Sequence, residues 1–216
     1  MKKTTLAVPS GSLRVAAFIT EAKVTGRNTA VLRLVEPGPE KATVANTEET
    51  EGVGVTVPWN PLSFASARAA LIETETALDG VLDELVIFAD PPTDATSITG
   101  LTPRFIEHAI LEWAAGYAEL IREAAKRFAE RGGGSIVLVI VQAERGPLGA
   151  MASGALIGLA EGIFFAGTPT VRFSAIRDES GQADLLARHV VKTLDEPSRD
   201  PGKIQRFGNR PGFFGR

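Results

Sequence analysis

The twenty residues from Arg122 to Val141, REAAKRFAERGGGSIVLVIV, decide how this chain folds. The first half carries charge on most turns with apolar residues at helical spacing, so it reads as the end of an amphipathic helix. Gly132-Gly133-Gly134 stops that helix. Ser135 to Val141 is then an unbroken apolar run, the pattern of a strand buried on both faces. A helix feeding such a strand implies a parallel sheet with helices packed on it, and the rest of the chain repeats the alternation.

Upstream, Thr4–Pro9 reads as a strand, Ser10-Gly11-Ser12 as a turn and Leu13–Lys23 as a helix. Thr29–Val35 is a second strand. Glu36–Gly54, rich in Glu, Pro, Gly and Thr, is an excursion without periodicity. Val55–Pro58 is a third strand and Ser63–Leu78 a helix with Ser63 as its cap. Leu82–Ala89 is a fourth strand, closed by Asp90-Pro91-Pro92. One long helix is expected over Pro103–Arg131, with Thr102 as cap and Pro103 in the first turn. Downstream lie a helix over Leu148–Phe165, a strand over Thr170–Ile176, a helix over Asp184–Leu194 and a short strand over Lys203–Phe207. The expectation is one α/β domain over residues 1–216: a Rossmann-like, doubly wound parallel sheet of about seven strands with helices on both faces. Residues 203–216 would form the last strand and a C-terminal tail.

Composition narrows the chemistry. The 216 residues are 44% hydrophobic and 23% charged, with a net charge of −3, which fits a globular protein and carries no basic excess for nucleic acid. There are no cysteines, so disulfides, zinc-thiolate sites and cysteine nucleophiles are excluded. The chain holds two histidines, His108 and His189, and one tyrosine, Tyr117. Lys2 and Lys3 precede an apolar stretch, but Pro9, Ser10, Gly11, Ser12 and Arg14 break it too early for a secretory signal. The longest uncharged apolar-biased run, Pro147–Ala160, is too short to span a membrane before Glu161 interrupts it. A cytoplasmic location is expected, without membrane or nucleic-acid partners.

Strand, small-residue turn and helix is the layout of a dinucleotide-binding half, whose glycines let the backbone approach a pyrophosphate at the helix N-terminus. The turn here is Pro9-Ser10-Gly11-Ser12-Leu13-Arg14-Val15. Only one glycine is present, and Leu13, Arg14 and Val15 stand where a G-x-x-x-G-x-G pattern has its later glycines. Arg14 reads as a solvated surface residue.

Taken together, residues 4–12 (TTLAVPSGS), 55–71 (VTVPWNPLSFASARAAL), 82–92 (LDELVIFADPP), 122–141, 152–163 (ASGALIGLAEGI) and 189–208 (HVVKTLDEPSRDPGKIQRFG) resemble a short-chain dehydrogenase/reductase over nearly the whole chain. The resemblance implies where that family's working parts would fall. Its Asn-Asn-Ala-Gly turn falls on Phe88-Ala89-Asp90-Pro91. Its catalytic asparagine falls on Trp113 and its serine on Val141 or Gln142. Its tyrosine falls on Gly149 or Ala150, and its lysine on Ser153 or Gly154. No tyrosine or lysine occurs between Ile136 and Lys192. Carbonyl reduction in that family needs a phenol to deliver a proton, a lysine to lower its pKa and a serine to hold the carbonyl oxygen; none of these stands at the matching positions. The substrate lid is missing too, since only Arg177–Ala183 separates Ile176 from Asp184.

These departures predict a degenerate member with no catalytic, cofactor-binding or metal residues and no cofactor. It would be an inactive subunit paired with a homologous active dehydrogenase subunit in a hetero-oligomer, or with itself. Two-subunit dehydrogenases of this kind are known in the family, including ones acting on acyl-CoA intermediates of aromatic degradation. Candidate interface residues are Trp113, Tyr117, Gly154, Gly158, Gly162, Phe207, Phe213 and Phe214. The three glycines share one helix face at four-residue spacing, where they admit either a partner helix or the chain's own sheet. Tyr117 fits core or interface. The competing readings are an active NAD(P)-dependent oxidoreductase with a relocated site, using Asp90, Asp94, Glu144, His108 or His189 as proton donor, and a free-standing ligand-binding module. Asp90 and Asp94 also fit a loop that caps the next helix.

Overall fold

The computed structural model describes residues 2–35, 54–91, 97–141, 146–196 and 202–208. Seven strands form one sheet: β1 (Thr4–Val8), β2 (Asn28–Leu34), β3 (Val55–Trp59), β4 (Glu84–Ala89), β5 (Gly134–Val141), β6 (Val171–Asp178) and β7 (Gln205–Phe207). Their order is β3-β2-β1-β4-β5-β6-β7, and every pairing is parallel. The chain winds outward from β1 in one direction, then returns to add β4 onward in the other. β1 and β4 therefore flank the switch point, where ligands of doubly wound sheets bind at the carboxyl ends.

Alternation along the central strands builds two cores. Leu6, Val8, Leu85, Ile87, Ile136, Leu138 and Ile140 face one layer; Ala7, Val86, Phe88, Val137 and Val139 face the other. Both sets are buried, which is why these strands read as continuous apolar runs. The first layer contains α2 (Phe64–Ala77), α3 (Pro103–Ile110), α4 (Gly116–Glu130) and α5 (Pro147–Ala166); α1 (Leu13–Val24) and α6 (Ala183–Asp195) cover the second face. Only Glu179–Gln182 lies between β6 and α6, so the connection has no room for a lid.

Two expectations need correction. The long helix over Pro103–Arg131 is not uniform: α3 and α4 are joined by a π-helical turn at Leu111–Ala115. No propensity pattern marks such a turn; it follows from packing, which here presses the start of α4 onto the β3–α2 turn. A Cβ at Gly116 would lie 2.6 Å from the Pro61 carbonyl oxygen, so only glycine permits that approach. The reading of Pro147–Ala160 as too short to span a membrane is the second, while the helix expected over Leu148–Phe165 is present. α5 continues through Glu161 for 20 residues, with a mean hydropathy of 1.6 in its most apolar window, and is long and apolar enough to cross a membrane by length and composition. In the fold it lies along the sheet through Leu148, Ala152, Leu156 and Ala160. The excursion over Glu36–Gly54 lies outside the described residues except for Gly54.

The amino end of the sheet is closed by charge. Arg27, nearly fully buried, donates to Glu84 at 2.8 Å and to Asp195 at 2.7 Å, and Lys3 reaches Glu84 at 3.0 Å. A cleft of about 420 Å³ opens there, lined by Lys2, Lys3, Thr25, Gly26, Arg27 and Asp195. Arg27 and Lys3 already pair with carboxylates, leaving little charge to attract a ligand.

Candidate functional site

The carboxyl rim beside the switch point is the place for a ligand in this architecture. The β1–α1 turn enters it through Gly11 at φ +86°, and Ser12 caps α1 by accepting the Arg14 backbone N–H at 3.2 Å. That bond occupies one of the N–H groups a helix start offers to an anion.

Arg14 does not project into solvent. Its guanidinium donates through Nε to Asp178 Oδ2 at 3.0 Å and through Nη1 to Asp90 Oδ2 at 3.3 Å. The Arg14 side chain is 21% exposed, Asp90 37% and Asp178 1%. Asp178 Oδ1 also accepts the backbone N–H and the hydroxyl of Ser180, at 2.9 and 2.7 Å. The first turn of α1 is thus clasped to the ends of β4 and β6 across the switch point. Asp90 is a partner of Arg14, where the sequence suggested a helix cap. Asp94, Gln142 and Glu144 lie outside the described residues.

A nicotinamide dinucleotide fits this rim poorly. One cation between two carboxylates leaves net negative charge where a pyrophosphate would sit. Arg14 cannot turn to a phosphate without abandoning a buried Asp178, and Val15 is packed into the core beneath.

At the positions matching the family's catalytic groups no tyrosine, lysine or asparagine stands. Val141 is buried and Gly149 has no side chain, while the Ser153 hydroxyl is spent on the Gly149 carbonyl at 2.8 Å. Trp113 sits half-buried in the π-helical turn. Among the relocated candidates, His189 is half-buried, stacks on Phe207 with ring centroids 4.7 Å apart, and is held below the usual histidine range chiefly by burial. His108 lies exposed on α3 beside Glu112, 3.1 Å away. Neither approaches the rim as part of a constellation, and no cluster of metal-ligating side chains occurs among the described residues.

The interface candidates separate into two groups. Tyr117 belongs to the chain's own core at 1% exposure, in contact with Trp59 and Trp113, and so offers no surface to a partner. Phe207 is half-buried and packs with His189 against the second core. Phe213 and Phe214 lie outside the described residues. Gly154, Gly158 and Gly162 are exposed, and a Cβ on any of them would meet nothing within 4 Å. They do not serve the contact between α5 and its sheet, which is made by the opposite face. Only 33% of the apolar window of α5 is buried, and Phe165 is 96% exposed. Phe105, Ile110 and Leu111 are also exposed, on α3 and the following turn.

No family model and no curated protein matches the sequence. Solved structures do match. A short-chain dehydrogenase from Mycobacterium smegmatis superposes with a TM-score of 0.78 at 16% identity, covering 97% of this chain and 92% of the other. A 3-ketoacyl-(acyl-carrier-protein) reductase from Brucella melitensis complexed with NADH gives 0.76 at 16%, covering 94% and 96%. Levodione reductase gives 0.77 at 15%, covering 95% and 96%. Together with the strand order and the switch point, these superpositions establish that the chain has the fold of the short-chain dehydrogenases/reductases.

Proposed function

We propose that the chain is a degenerate short-chain dehydrogenase/reductase that binds no nicotinamide cofactor and serves as a non-catalytic subunit of an oxidoreductase. Its partner is a homologous, catalytically complete subunit or a second copy of itself, in the cytoplasm. The observation that carries this reading is the clasp of Arg14 on Asp90 and Asp178 at the rim. It pins Arg14 between two carboxylates at the carboxyl rim, where doubly wound sheets bind their ligands; the similar reductase from Brucella melitensis was solved complexed with NADH. The residues matching the family's proton donor and its lysine are glycine, alanine or serine, with no phenol or amine among them.

The assembly part rests on α5. Its outward face carries Gly154, Ala155, Gly158 and Gly162 with Met151 and Phe165, interrupted by one charge at Glu161, and among the described residues nothing packs on the three glycines. Each exposed glycine costs roughly 1 kcal/mol of helix stability relative to alanine, and no contact among the described residues offsets it. Close approach of a second helix would. The substrates of such an assembly are proposed by analogy alone as acyl-CoA or aromatic-degradation intermediates. Light scattering at micromolar concentration, with the chain alone and co-expressed with a homologous subunit encoded beside it, tests the reading. A stable oligomer in either case supports it, and a monomer in both rejects it. An active enzyme with a relocated site gains no support from Asp90, which is already engaged by Arg14.

A further inference from the structure

A helix is held in place by what it buries, and α3 buries little. Of its eight residues only Ala109 is buried, whereas α4 buries seven of its fifteen. Phe105 and Ile110 are 63% and 44% exposed, so neither secures α3 by burial. Among the described residues, no side-chain hydrogen bond or ion pair ties α3 to another helix or to the sheet. Its polar links are local. Thr102 accepts the Phe105 backbone N–H at 3.3 Å, and His108 Nε2 lies 3.1 Å from Glu112 Oε2 in the adjoining turn. What remains is the contact that α3 makes along α5.

The start of α4 is held in the opposite way. Gly116 lies against the Pro61 backbone, and Tyr117 and Leu120 are fully or almost fully buried. Between the fixed α4 and the loosely held α3 stands the π-helical turn Leu111–Ala115. Such a turn passes its backbone hydrogen bonds to carbonyls five residues back instead of four, and it is one of the few causes of sharp helix bending. Local opening costs least where few apolar contacts must break. The change in hydrogen bonding and the step in burial fall at the same place in the chain.

We propose that the π-helical turn is a hinge on which α3 swings as one unit away from α5 while α4 stays docked. The open form uncovers the flank of α5 on which α3 rests. The hinge belongs to the single chain and does not depend on the assembly reading. Hydrogen exchange of the full chain, followed residue by residue by nuclear magnetic resonance, tests it. The amides of Glu107–Ile110 should share one low protection, at least about a hundredfold below that of Leu120–Phe128. Deleting Ala114 removes the extra residue that the π-helical turn holds and lets α3 and α4 run on as one α-helix. That deletion should raise the protection of α3 about tenfold or more and leave α4 unchanged. Protection in α3 equal to that of α4 overturns the proposal. So does fraying, seen as protection that climbs steadily from the first turn of α3 and does not respond to the deletion. Should the deletion variant fail to fold, two spin labels decide in its place. The chain has no cysteine, so Glu107→Cys with Lys126→Cys labels one exposed position on α3 and one on α4. A straight helix separates them by about 28 Å. A second, shorter population beside that distance supports the hinge, and a single narrow distribution overturns it.

Discussion

Replacing Arg14 with alanine removes the cation from the rim and leaves Asp178 buried without it. Loss of one partner from a buried ion pair costs about 3–5 kcal/mol. Two features of this site lower the figure. Asp178 keeps its two bonds from Ser180, and the Arg14 side chain is 21% exposed, so water partly replaces it. The Asp90 contact, at 3.3 Å on a side chain 37% exposed, adds less than about 1 kcal/mol. The expected loss for Arg14→Ala is therefore about 2–3 kcal/mol, read as a lower midpoint of urea unfolding at unchanged slope. The double variant Arg14→Ala with Asp178→Asn no longer buries a lone charge. It should be less destabilised than the sum of the singles, by about 1–2 kcal/mol of coupling. A loss below about 0.5 kcal/mol for Arg14→Ala, with additive singles, would refute the clasp and return Arg14 to the solvent.

If the chain assembles through α5 as proposed, Gly158→Leu should dissociate that assembly while the fold, followed by circular dichroism, persists. The released monomer should be more stable by roughly 1 kcal/mol, since the position is open and leucine favours helix over glycine. Unfolding of the monomer would show that the glycine serves an internal contact. Tyr117 provides a test at high pH. Its phenol lies above the ordinary range through burial, so its stabilising effect is complete below about pH 10 and is lost as pH rises beyond that. Tyrosinate absorbance should therefore appear only as the chain unfolds, and ionisation of the folded chain near pH 10 would contradict the packing. At low pH, Glu75 works in the opposite sense. Burial raises its pKa, but bonds from Arg131, the Leu82 backbone and Arg127 outweigh that and hold it below 4.5. Its contribution is present above that value and lost as pH falls through its lowered folded pKa. Glu75→Gln should flatten the acid limb of the stability profile, and an unchanged limb would count against the α2–α4 bridge.

The fold was legible because its signals are local. Seven apolar or half-apolar runs separated by helical patterns admit few topologies, and the switch at β1 and β4 follows from right-handed crossovers. The departure from the family's tyrosine and lysine pattern was legible by type, since neither residue stands between Ile136 and Lys192. The clasp was not, because Arg14 meets Asp90 and Asp178 across separations of 76 and 164 residues, and nothing near Arg14 marks either partner. The glycine stripe shows the limit of periodicity. Gly154, Gly158 and Gly162 repeat every four residues, but so do Leu148, Ala152, Leu156 and Ala160, which take the sheet. Spacing alone puts each set on a face without saying which face turns inward. Tyr117 and Trp59 meet only because the π-helical turn and Gly116 bring α4 against the end of β3, a contact set by packing rather than by sequence pattern.

The central claim is that the carboxyl rim no longer accepts a dinucleotide. Isothermal titration calorimetry of the purified chain with NADH and NADPH tests it most directly. The account predicts no saturable heat at sub-millimolar concentration with either cofactor, because Arg14 is held by Asp90 and Asp178 and is not free for a phosphate. Stoichiometric binding with a micromolar Kd would contradict it and restore this chain to the cofactor-dependent enzymes whose fold it shares.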